Sequence, residues 1–179
     1  DAVRLSVTLE GQVVLLIRTD VQGSVDNETW LGRVEVYNAA GLKLSVIKLP
    51  NNIINPHSVV QSANKTFIIS LGDHMTELNR VVEVNNEGKI IASFGGSRGS
   101  GLGQLNVPAD IVFDSEERVL VADLRNDRVL LLNRQLDTQL RVLINWNNNF
   151  GPMRLFYDNE TAQLTVGVTD GIRRAVEIY

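Results

Sequence analysis

Three observations predict an all-β fold, a β-propeller of four-stranded blades. The apolar residues fall in short runs of strand length, rich in Val, Ile and Leu, with turn residues between them. Several runs alternate apolar and polar residues, as in Arg33-Val34-Glu35-Val36-Tyr37, the pattern of a strand buried on one face. The runs also recur in groups of four at a spacing of about 45 residues, which is the length of a propeller blade. No amphipathic helical stripe is sustained along the chain.

The blade units lie at approximately 1–49, 55–94, 107–146 and 151–179, the last lacking its outer strand. The first holds "AVRLSVT", "QVVLLIRTD", a long loop, "GRVEVY" and "LKLSVIKL". The second starts at Pro56, the third at Pro108 and the fourth at Pro152. An Arg-Val pair opens the third strand at Arg33-Val34, Arg80-Val81 and Arg128-Val129. A glycine-rich insertion, "FGGSRGSGLGQLNVP", explains why Pro56 to Pro108 exceeds Pro108 to Pro152. One small sheet cannot bury both faces, so such units stack around an axis. A sandwich does not require this internal repeat, and a β-helix has a much shorter one.

The net charge of −4 offers no general attraction to nucleic acid or acidic membranes. The absence of cysteine removes disulfides and thiolate metal sites. No apolar run approaches the roughly 20 residues that a membrane-spanning helix needs. The first residue is Asp1, so the chain reads as a processed product or a piece of something larger, with missing blades or self-assembly to complete it.

Residues 94–133 resemble an NHL repeat. The matching positions include Phe94, Gly95, Gly99, Gly101, Gly103, Pro108, Asp110, Ile111, Asp114, Val121, Ala122, Asp123, Asn126, Arg128 and Val129. The unit from Pro56 is looser, with Leu71-Gly72-Asp73 in place of Val-Ala-Asp. The resemblance implies a ring of six blades, of which this chain holds four. It also implies a binding platform, as at the end of tripartite-motif ligases. Other members of the family bind RNA or lie outside cells, and a related group forms metal-dependent lyases.

The glycine-rich stretch lacks the Gly-Lys-Ser/Thr of a phosphate loop. Gly95-Gly96-Ser97-Arg98-Gly99 fits G-x-S-x-G, but "SGLGQLNVP" cannot start the helix that a nucleophile turn requires. It reads as a flexible inter-blade connection. His57 and His74 are the two histidines, fewer than the usual ligands of a catalytic zinc, and are weak metal candidates. Asp123, Asn126 and Arg128, with Pro108 and Asp110, read as structural repeat positions. The second-to-third-strand loops carry Asp20, Asp26, Glu28, Asp73, Glu77, Asp123, Asp127 and Asp170 against few cations, chiefly Arg125. That predicts an acidic rim, which disfavours RNA.

The function expected is a non-enzymatic protein-binding scaffold, with no catalytic residue, cofactor or metal. Trp30, Asp73, His74 and Arg125 are its candidate partner contacts. Trp30 stands in a long polar loop, where an aromatic can anchor an interface. Asn27, Asn64 and Asn159 head Asn-x-Thr sequons. Their use would make the chain an extracellular structural or adhesive propeller. A tripartite-motif setting would make it cytoplasmic.

Overall fold

A computed structural model describes residues 2–8, 10–20, 30–146, 151–170 and 174–179. Its strands form four antiparallel sheets, arranged as the blades of a β-propeller. Blade 1 holds β1 (Ala2–Val7), β2 (Val13–Asp20), β3 (Trp30–Tyr37) and β4 (Lys43–Lys48). Blade 2 holds β5 (Pro56–Gln61), β6 (Phe67–Leu71), β7 (Leu78–Val84) and β8 (Ile90–Ser97). Blade 3 holds β9 (Pro108–Phe113), β10 (Val119–Asp123), β11 (Arg128–Leu132) and β12 (Gln139–Asn145), with a short 3₁₀ turn at Leu124–Asn126. Blade 4 has three strands, β13 (Gly151–Asp158), β14 (Gln163–Thr169) and β15 (Arg174–Ile178). In every blade the strands pair in sequence order.

The alternation seen in the sequence puts apolar side chains between neighbouring sheets. Val14, Leu16, Val34 and Ile47 of blade 1 pack on Val59, Phe67, Ile69 and Val82 of blade 2. Ile68 and Val81 of blade 2 meet Ile111, Val121 and Leu130 of blade 3. Leu120, Val129 and Leu131 of blade 3 meet Leu155, Val166 and Val168 of blade 4. Trp146 closes this last junction, donating from Nε1 to Glu177 at 3.0 Å and meeting the Tyr179 ring edge to face.

The outward faces of the terminal blades differ from these interfaces. Leu5, Val7 and Val46 on blade 1, and Phe156, Val176 and Ile178 on blade 4, are exposed. Blade 1 also carries a tight charged cluster on that face. Glu35 accepts from Arg33, Lys43 and the Tyr37 hydroxyl, which together hold its carboxyl down at about 2.

The glycine-rich stretch departs from the flexible connection expected of it. Its first glycines belong to β8. Gly95 runs so close to β7 that an added Cβ would meet the Asn79 carbonyl oxygen at 2.6 Å. Arg98 then bridges to Leu105, and Ser97 Oγ accepts from Gln104 Nε2 at 3.1 Å. Ser97 thus sits at a strand end, not at a strand-to-helix turn.

Candidate binding face at the propeller axis

The inner strands β1, β5, β9 and β13 line the axis, and their first residues mark one face of the propeller. Connections from one blade to the next, and loops between second and third strands, emerge there. Register makes four inner-strand residues equivalent: Arg4 faces Leu16, Ser58 faces Ser70, Asp110 faces Ala122 and Arg154 faces Gly167. Beyond this ring lies an axial cavity of about 690 Å³, lined from all four blades by residues including Leu5, Val60, Phe113 and Phe156.

Asp110 ties blades 3 and 4 together. One carboxylate oxygen accepts from its neighbour Ile111 N and the other from Leu155 N, each at 3.0 Å. Arg18 lies on the face of β2 that carries Leu16, one diagonal step from Arg4. Its guanidinium covers the Trp30 ring at 5.5 Å. Burial, then Arg154 and Arg18, push the Arg4 guanidinium below its ordinary value, while Asp110 pulls the other way. Burial and Arg154 do the same to Arg18. His57 is pushed down chiefly by burial, against the pull of its bond to the Gly72 carbonyl.

The residues singled out in the sequence are scattered over this face. Trp30 is half-buried under Arg18, and its backbone N–H donates to Asn55 Oδ1 at 2.8 Å. Asp73 caps its own loop, accepting from Met75 N and Thr76 N at 2.7 Å, and it also takes the Asn55 amide. His74 and Arg125 are exposed. His57 and His74 have different surroundings. The His57 ring bonds to Gly72 O, whereas the exposed His74 offers its backbone carbonyl to Arg98. Among the described residues, no cluster of three or more His, Cys, Asp or Glu is placed to hold a metal ion. Asn64 and Asn159 are exposed in turns at the opposite end of the blades, and Asn27 lies outside the described residues.

The repeat motif forms a clasp. Asp123 is buried and accepts from Arg128 Nε at 2.8 Å, Asn126 Nδ2 at 2.7 Å and Asn106 N at 2.7 Å. Burial pushes its carboxyl up, and those donors pull it back. Arg128 spends its remaining donors on the glycine-rich loop, reaching Ser100 O and Gln104 O at 2.9 Å, while Asn126 reaches Gly99 O at 2.8 Å.

The arginines of the axis were missed in the sequence. Arg4 and Arg154 sit inside strand runs, away from the loops whose acidic residues predict the rim. The findable signal was their place two residues after Ala2 and Pro152, as Ser58 and Asp110 stand after Pro56 and Pro108.

No family model matches the chain, and no curated protein matches it. Solved structures do. A protein of unknown function from Bacteroides caccae superposes with a TM-score of 0.65 at 14% identity, over 90% of this chain and 54% of that one. The virginiamycin B lyase of Staphylococcus aureus gives 0.55 at 13% identity, over 98% of this chain and 68% of that one. A streptogramin B lyase gives 0.55 at 14%, over 98% and 53%. This chain therefore spans about half the length of the Bacteroides protein. The likeness shows the propeller fold. It also corrects the expectation of a non-enzymatic chain, because two of these propellers are lyases and the fold itself does not set catalysis aside.

Proposed function

We propose that the chain is an NHL-type binding platform that takes a protein partner on its loop face. The observation that carries this reading is the glycine-rich loop. Arg128 and Asn126 hold its backbone at Gly99, Ser100 and Gln104, yet Leu102 between them is 86% exposed. An apolar side chain held out on a clamped loop is an anchor whose ordering cost is already met by the fold. Arg98 links this loop to the neighbouring one through His74 O and Glu77, and that second loop exposes Met75. The NHL-type reading draws support from the Asp123–Asn126–Arg128 clasp, which gives each polar position of the motif a structural task.

The test is affinity capture from the natural source with the wild-type chain and with a Leu102→Glu/Met75→Glu variant. Proteins captured by the wild type should be lost with the variant and retained with Asn159→Asp, at the opposite end of the blades. Equal recovery by the wild type and the double variant would remove this face from the reading.

A further inference from the structure

We propose that Arg4, Arg18 and Arg154 form an oxyanion-binding site on the axis, beside the ring positions Ser58 and Asp110 that line the inner end of the axial cavity. The ligand would be a small molecule bearing a carboxylate or phosphate group, and the inference stands apart from the protein-partner reading.

Backbone register supplies the first argument. Arg4 and Arg154 occupy the same inner-strand position in blades 1 and 4, so both belong to the ring around the axis. Arg18 is the diagonal cross-strand neighbour of Arg4 on one face of blade 1, within reach for long side chains.

The second argument is unmet hydrogen-bonding capacity. The Nε atoms of both Arg4 and Arg18 are buried without a partner. A buried guanidinium N–H left unmade is costly, and native structures normally satisfy it. None of the ion pairs among the described residues involves Arg4, Arg18 or Arg154. Arg80 and Arg134 also have a partnerless buried Nε, but their terminal nitrogens donate to Asn52 O and to Glu83, and Arg128 is engaged through all three nitrogens with Asp123 and two loop carbonyls.

The third argument is that the carboxylate of the ring is committed elsewhere. Both oxygens of Asp110 accept backbone N–H groups. Arg154 is exposed and donates to its own neighbour's carbonyl, Met153 O, which an incoming anion could replace at little cost. The guanidinium fork suits carboxylate and phosphate oxygens, and the cavity behind it offers apolar walls to the rest of a ligand.

Inorganic phosphate and benzoate are the probes, each measured by thermal unfolding and calorimetry against sodium chloride at equal ionic strength. At least one should raise the Tm above the chloride control, as ligand linkage requires. Arg4→Gln and Arg154→Gln should each weaken that binding by about tenfold or more. Phosphate alone would identify a phosphate ligand. Benzoate alone would identify an apolar acid that also uses the cavity. Because Arg154 is exposed, Arg154→Gln should fold even if Arg4→Gln does not, and circular dichroism checks both. No stabilisation beyond chloride by either anion, or undiminished stabilisation in a folded Arg154→Gln protein, would overturn the site.

Discussion

Where the chain leads into blade 2, Asn55 takes the left-handed conformation, φ 51°, directly before Pro56; where it leads into blade 3, Val107 does the same, φ 58°, before Pro108. Each carbonyl accepts the N–H of the residue after the blade's second strand, Gly72 in one case and Leu124 in the other. The backbone device is shared, but the chemistry that secures it differs. Asparagine tolerates this conformation, and here its side chain also bridges Trp30 N and Asp73. Valine tolerates it poorly and has no polar group to offer. Blade 3 recruits outside help: Asn79 Oδ1, reaching over from blade 2, accepts Val107 N at 2.7 Å, and the Asp123–Arg128 clasp holds the loop that leads in. A strained lead-in can therefore be kept when its neighbours over-determine it.

Breaking the clasp should have the largest effect. Arg128→Ala strands the buried Asp123 carboxylate and frees two loop carbonyls, so a loss of about 3–5 kcal/mol is expected. The corresponding arginine of blade 2, Arg80, gives one exposed hydrogen bond, to Asn52 O at 3.0 Å. Its removal should cost about 1 kcal/mol or less. Urea unfolding of both variants checks the contrast, and equal losses would mean that the lead-ins to blades 2 and 3 are secured alike.

The next effect tests the help given across blades. Asn79 is buried, and besides serving Val107 it donates to Asp73 O and Thr76 O at 3.0 Å. Asn79→Ala leaves a buried N–H without its acceptor, which should cost about 1–3 kcal/mol. Native-state hydrogen exchange at Val107 sharpens the point. Its amide should lose protection in the variant more than the amides of β10 do. Uniform loss would show Asn79 acting on the whole fold and not on this one segment.

Blade architecture was legible in the sequence because it rests on strand periodicity and on repeated Pro and Arg-Val positions, all local signals. The Asp123–Asn126–Arg128 group was legible as a polar cluster because its spacing falls within one turn. Asn79 carried no such signal, since its partner lies 28 residues away and is a backbone N–H. The axial arginines were hidden for the same reason. Arg4 and Arg154 come to equivalent positions only by the packing of separate blades around the axis. The acidic rim inferred from loop residues counted Asp123 as surface charge, whereas the fold buries it beneath Arg128.

The smallest effect bears on why a valine occupies position 107 at all. Val107→Asn would make the lead-ins to blades 2 and 3 chemically alike. Relief of left-handed strain favours the change by up to about 1 kcal/mol. Against it stands the loss of a side chain that is only 8% exposed, and burial of a valine contributes about 1.5–2 kcal/mol. The balance predicts a net loss of about 1 kcal/mol, read as a lower urea midpoint with an unchanged slope. A gain in stability would mean that the new asparagine finds a bridge like that of Asn55, and that strain, not burial, dominates at this position. In the Asn79→Ala background the same substitution should cost less, because the backbone N–H is then already without its acceptor and the conformation before Pro108 is less tightly imposed.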